Sequence, residues 1–72
     1  MQLLPMYVPA EIHRWTGTAG EVIVARGPLV MMAHGLMALA PNDRDTCWIT
    51  TAAGDLTPGD AEEALRGWSK RH

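Results

Sequence analysis

The residues of this chain that could catalyse a reaction or bind a metal are three histidines, His13, His34 and His72, and one cysteine, Cys47. A zinc site needs three or four converging ligands, which usually come from closely spaced pairs. These four residues lie far apart in the sequence and form no CxxC or HxxxH pair. The sequence therefore predicts no metal site and no cofactor.

Nucleophilic catalysis by Cys47 would require a histidine beside it as a base. Cys47 adjoins Trp48 in a strand-like segment that has no basic residue to favour the thiolate, so a structural, half-buried cysteine is expected. The glycine-rich run at 17–20 lacks the Lys-Ser/Thr of a phosphate-binding loop. The acids at 60–63 fall in the first turn of a predicted helix, where acids stabilise the helix dipole without any catalytic role. We therefore predict that the chain is not an enzyme.

The 72 residues are enough for one small domain, 1–72. A domain of this size buries only about 60% of its unfolded surface and gains from a disulfide, a metal or an oligomer. One cysteine excludes an internal disulfide, so we expect a partner chain, either another protein or a second copy, to stabilise the domain. The lone cysteine and an N-terminal sequence unlike a signal peptide predict a cytoplasmic location.

The net charge of −2 argues against nucleic acid as the partner, since nucleic-acid binders usually carry a basic excess. Most of the acids lie between positions 43 and 63. Asp43, Asp45 and Asp55 are candidates for an acidic surface that faces a basic partner.

Periodicity and turn residues predict an α+β fold, in which a small, mostly antiparallel sheet of about three to five short strands packs against a C-terminal helix. Strands are predicted over 2–8, 21–26 and 46–52. The segment 9–15 is interpreted as a strand, with a short helical turn as the alternative. Glycines at 17–20 predict a hairpin turn, and Gly27-Pro28 is expected to end the second strand.

The C-terminal helix is predicted over 58–70. Thr57 is a natural N-cap residue, Pro58 suits the first helical position, and Asp60 completes a variant of the capping box. One apolar stripe follows at helical spacing: Ala61, Ala64, Leu65 and Trp68.

The segment 29–40 contains no charged residue. It is too short to cross a membrane, which takes about 20 residues. Its Leu, Met and Ala residues favour a helix, whereas Gly35 would weaken one by roughly 1 kcal/mol. Two short strands with a turn at His34-Gly35 are favoured, because the neighbouring segments are predicted strands and a small sheet needs more than two. The run is either core or an exposed docking patch. In the second case the predicted partner-binding residues are Met31, Met32, Leu36, Met37, Leu39 and Trp48.

Residues 8–24 contain Val8-Pro9-Ala10-Glu11-Ile12 and, after a short loop, Gly20-Glu21-Val22-Ile23-Val24. This segment resembles the AbrB/MazE-type swapped-hairpin transcription factors, in which an IP-x-E-I helix start precedes a strand. The resemblance implies a homodimeric DNA-binding regulator or antitoxin. The charge-free run at 29–40 and the lack of a catalytic constellation favour a different primary hypothesis, a non-enzymatic protein-binding module. Small stand-alone chains of this kind are common among accessory and inhibitor proteins of bacteria and phages, which is a general expectation and not a feature of these residues.

Overall fold

The chain folds as two ββα units joined by a short helix. The computed structural model describes residues 5–70. The first unit contains β1 (Pro9–Thr16), β2 (Gly20–Pro28) and α1 (Leu29–Met37). The connecting helix is α2 (Pro41–Arg44). The second unit contains β3 (Cys47–Thr51), β4 (Gly54–Leu56) and α3 (Pro58–Ser69).

The four strands form one antiparallel sheet in the order β2-β1-β3-β4. The two units meet at its centre, where Ile12 of β1 lies opposite Ile49 of β3. Helices α1 and α3 contact each other and the sheet. The predicted α+β class, with an antiparallel sheet and a C-terminal helix, is confirmed. None of the helices within residues 5–70 has the length and apolar character needed to cross a membrane.

The first hairpin confirms the strand interpretation of 9–15. Gly20 closes its turn with a φ of 71°, a left-handed conformation that favours glycine. The hydroxyl of Thr16 accepts from the amide of Ala19 and donates to the carbonyl of Gly20. Gly27-Pro28 does not end β2 as expected, because the strand continues through Pro28 and α1 begins at the next residue.

The strand predicted over 2–8 is wrong where it can be compared. Residues 6–8 form a turn and a bend, Pro5 has no regular structure, and residues 2–4 lie outside the described residues. The carbonyls of Met6 and Val8 accept hydrogen bonds from the amides of Val30 (2.8 Å) and Leu29 (2.9 Å). This segment therefore supplies acceptors for the first turn of α1, which has no side-chain cap.

The prediction of two strands in 29–40 is also wrong, because residues 29–37 form helix α1. Its buried residues recur at the spacing i, i+3, i+4, i+7: Leu29, Met32, Ala33 and Leu36. Gly35 does not prevent the helix, since burial of this stripe outweighs a penalty of roughly 1 kcal/mol. The remaining positions are also largely apolar, which hid the helical period in the sequence.

The C-terminal end of α1 is fixed by a side chain from α2. Helix α2 is a single turn that begins at Pro41 and ends at Arg44. The Nη2 group of Arg44 donates to the carbonyls of Met37 and Leu39, each at 3.0 Å. These bonds satisfy acceptors that a helix end leaves open.

Helix α3 matches its prediction closely. It begins at Pro58 after a complete capping box between Thr57 and Asp60, and it ends at Ser69. Strand β3 (Cys47–Thr51) begins and ends within one residue of the predicted bounds, 46 and 52. The core lies between the sheet and the helices, and its largest fully buried side chains are Leu29, Leu36 and Ile49.

Candidate functional site

The helices cover one face of the sheet. The other face, called here the open face, carries the polar and aromatic side chains of the strands. Side chains alternate between faces along a strand, and paired residues of neighbouring strands share a face. By the strand register, the open face includes Glu11, His13, Trp15, Glu21, Ile23, Arg26, Trp48, Thr50 and Asp55.

His13 is the centre of a hydrogen-bonded network on the open face. Its Nδ1 lies 2.8 Å from Glu21 Oε2, and its Nε2 lies 3.1 Å from Glu11 Oε1 and 3.0 Å from Thr50 Oγ1. The second oxygen of Glu11 accepts from Arg26 Nε at 2.8 Å. A neutral imidazole has one N–H, so only the doubly protonated ring donates to both carboxylates.

The ring of His13 is also held by aromatic stacking. The centroids of His13 and Trp48 are 5.6 Å apart, and their planes differ by 19°. His13 is 8% exposed although it lies on the face without helices. Stacking and hydrogen bonds to strands on both sides thus fix this side chain.

The geometry of His13 suits a structural role rather than catalysis. Carboxylates occupy both ring nitrogens, and the two nitrogens point in different directions from the ring. Cys47 is buried on the helix-covered face, so Cys47 and His13 do not form a nucleophile–base pair. Across residues 5–70, no group of three or more His, Cys, Asp or Glu side chains is arranged to hold a metal ion. His34 is exposed on α1, and His72 lies outside the described residues.

Large apolar side chains are exposed around the His13 network. Trp15 is 61% exposed and Ile23 is 45% exposed, both on the open face. Val24 is 52% exposed at an irregularity in the pairing of β2 with β1. Ile23, His13 and Trp48 form a row across three strands. This combination of exposed tryptophan and isoleucine with a hydrogen-bonded polar centre can bury apolar area against another molecule.

A groove lies at the Arg26 end of the open face. It has a volume of about 520 Å³, and the Glu11–Arg26 ion pair and Thr50 form part of its wall. Tyr7, which is exposed, borders the groove from the segment before β1. The groove extends the open face toward the start of β1.

The predicted partner-binding residues do not form one surface. Met32 and Leu36 belong to the core, which corrects their assignment as docking residues. Met31 is 62% exposed on α1, on the helix side of the sheet. Met37 and Leu39 are partly buried against the core. Trp48 lies on the open face beside His13.

The predicted acidic residues are also dispersed. Asp43 and Asp45 lie just before the start of β3, whereas Asp55 lies opposite Thr50, near the C-terminal end of β3. Asp43 accepts from Arg14 Nη2 at 3.3 Å, which offsets part of its charge. All three are exposed, but they do not form the single acidic surface that the sequence suggested.

Sequence reasoning missed Trp15, Ile23 and Val24 as surface residues. The signal for Trp15 was available, because a strand over 9–15 places Glu11, His13 and Trp15 on one face. Ile23 lies opposite His13 in the same register as the pairs nearer the turn, whereas Arg26 lies opposite Glu11 because of the irregular pairing between Ile12 and His13. That irregularity has no evident signature in the sequence.

No protein-family model, curated protein or solved structure matches the chain. The helix start implied by the resemblance to AbrB/MazE-type proteins is not formed, because Pro9–Thr16 is a strand. The fold and the open face are therefore the basis for assigning a function.

Proposed function

We propose that this chain is a non-enzymatic protein-binding module that docks on a partner protein through the open face of its sheet. The observation that carries the proposal is the exposure of Trp15 and Ile23 on a sheet face that neither α1 nor α3 covers. Tryptophan is among the residues most enriched where binding energy concentrates. A small accessory or inhibitor protein of the bacterial or phage cytoplasm would act in this way.

The charges of the open face favour an apolar partner surface. Glu21 is bonded to His13, and Glu11 is bonded to both His13 and Arg26. Arg26 compensates the charge of Glu11 within the face, and Glu21 is held by a hydrogen bond to His13, so the partner need not supply a counter-charge for Glu11. The exposed Trp15 and Ile23 then gain most from apolar side chains opposite them.

The same pairings make DNA a weaker candidate. Arg14 is bonded to Asp43, and Arg26 is bonded to Glu11. Each arginine that could neutralise a phosphate from the first hairpin already has an acidic partner. With a net charge of −2, these pairs support a protein partner over a nucleic acid.

The test compares two substitutions of exposed apolar residues. Trp15→Glu changes the open face, whereas Met31→Glu makes the same kind of change on α1, at a residue of equal exposure. The native chain is used to capture proteins from an extract of the source cells. Each captured protein is purified, and its affinity for the native chain and for both variants is measured by calorimetry. We expect Trp15→Glu to weaken binding by about 30-fold or more, the loss typical of a central tryptophan, and Met31→Glu to leave it unchanged.

Two results would contradict the proposal. A partner that tolerates Trp15→Glu but is lost with Met31→Glu binds the helix side. Salt-sensitive binding to genomic DNA fragments that disappears when Arg14 and Arg26 are replaced would favour the dimeric regulator instead.

A further inference from the structure

The two edges of the sheet differ in a way that bears on self-association. Strand β4 has three residues, and short edge strands resist pairing with other chains. Strand β2 has nine residues, and within residues 5–70 it pairs with β1 alone. No described strand therefore occupies its outer backbone groups, and Ile23 and Val24 are exposed at its middle.

The sequence of β2 is complementary to itself when two copies run antiparallel. If the two-fold axis passes between Ile23 and Val24, then Glu21 of one copy lies opposite Arg26 of the other. Val22 then lies opposite Ala25, and Ile23 lies opposite Val24. Opposite charges and apolar pairs at facing positions stabilise antiparallel strands.

The irregularity in the pairing of β2 with β1 is a β-bulge in β2. This bulge allows the self-pairing register to be formed with a two-fold axis. A two-fold axis perpendicular to the sheet requires paired residues to share a face, and positions 21 and 26 would lie on opposite faces of a regular strand. The register shift beside Ile23 changes the alternation, so Glu21 and Arg26 both lie on the open face. A bulge can twist an edge strand away from partners. Here the bulge lies at the two-fold axis, and it places the paired residues of the two copies on the same face of the sheet.

Both charged groups keep bonding capacity for a second copy. Glu21 uses Oε2 for His13, and its side chain is 53% exposed. Arg26 uses Nε for Glu11, and its side chain is 69% exposed. Glu21 Oε1 and the terminal Nη groups of Arg26 therefore remain available across the edge.

We propose that a second copy of this chain pairs with the β2 edge, giving a two-fold dimer with a continuous eight-stranded sheet in which Glu21 faces Arg26 of the other copy. The axis is perpendicular to the sheet, so both open faces lie on the same side of the dimer. This inference uses the edge strand and does not depend on the proposed docking function.

The test uses two variants whose charges are complementary only to each other. Glu21→Arg places arginines opposite each other in a homodimer, and Arg26→Glu places glutamates opposite each other. In a mixture of the two variants, both contacts across the axis are again between opposite charges. We expect the native chain to have twice the chain mass of 7.9 kDa by light scattering, and each variant to dimerise at least about tenfold more weakly. We expect the mixture to recover the dimer.

Matched controls make the same two kinds of charge reversal away from the β2 edge, one on α3 and one just after its last residue. Glu63→Arg and Lys70→Glu lie at exposed positions there, and we expect both to remain dimeric. Val24→Lys is a second variant that leaves the His13 network intact, and we expect it to stay folded by circular dichroism and to be monomeric.

Three results would overturn the proposal. A native chain that is monomeric from micromolar to millimolar concentration excludes it. A dimer that is equally strong in Glu21→Arg, Val24→Lys and Glu63→Arg uses another surface. Folded single variants whose mixture stays monomeric exclude the register between Glu21 and Arg26.

Discussion

Replacing Gly35 by alanine tests whether residues 29–37 form a helix in which Gly35 packs against β1. Gly35 lies inside α1, and its φ is not positive. A Cβ built there would be 3.7 Å from Ile12 Cδ1, an ordinary van der Waals contact. Alanine is favoured over glycine in a helix interior by about 1 kcal/mol. With no strain to offset that gain, Gly35→Ala should raise the free energy of unfolding by about this amount.

The stabilisation is large enough to measure by thermal unfolding. For a domain of this size, 1 kcal/mol corresponds to a rise in Tm of roughly 4–8 °C. The matched control is Gly20→Ala, because the φ of Gly20 is 71° and an L-residue there costs about 1–2 kcal/mol. Circular dichroism during heating should therefore show opposite shifts for the two variants. A fall in Tm for Gly35→Ala would refute the helical placement of Gly35 against β1.

Three further substitutions test the core and the helix ends by chemical denaturation. Met32→Ala should cost about 2–5 kcal/mol because Met32 is buried in the core. Met31→Ala should change stability by less than about 0.5 kcal/mol, and equal losses for the two would contradict the orientation of α1. Arg44→Met should cost about 1–3 kcal/mol by removing both bonds to the end of α1, unless these bonds are absent in solution. Thr57→Ala should cost about 1 kcal/mol through the lost cap, and an unchanged midpoint would exclude the capping box.

The C-terminal helix could be predicted from the sequence because its signals agree with one another. Thr57 and Asp60 mark its start, and apolar residues occupy only one stripe of an otherwise polar segment. The strands beside the glycine turn were also predictable, since β-branched residues flank clear turn residues. In these segments local propensity and packing favour the same structure.

Helix α1 could not be predicted in the same way, because its exposed positions are apolar too. Met31 is as hydrophobic as Met32, so the pattern did not distinguish the buried side from the exposed side. The contacts that fix the two ends of this helix come from residues outside it. The carbonyls of Met6 and Val8 meet its start, and Arg44 bonds to its end. None of these contacts is visible as a local motif.

The open face was only partly predictable, for a different physical reason. Alternation along β1 places His13 and Trp15 together, but their neighbours depend on which strands pair and in which register. The pairing of β1 with β3 brings Trp48 onto His13 from a distant part of the sequence. The shift in register beside Ile23 then determines that Arg26 reaches Glu11. Tertiary pairing, rather than local sequence, assembled this surface.

The division of the chain into two ββα units has a consequence for how it folds. Each unit contributes half of the core. The first supplies Ala10, Ile12, Leu29, Met32, Ala33 and Leu36, and the second supplies Cys47, Ile49, Leu56, Ala61, Ala64 and Trp68. Because neither half encloses its own apolar residues, we expect the halves to gain stability only together and the chain to unfold in one cooperative step. A backbone cut between α1 and β3 would leave two fragments that are unfolded alone and complement each other when mixed.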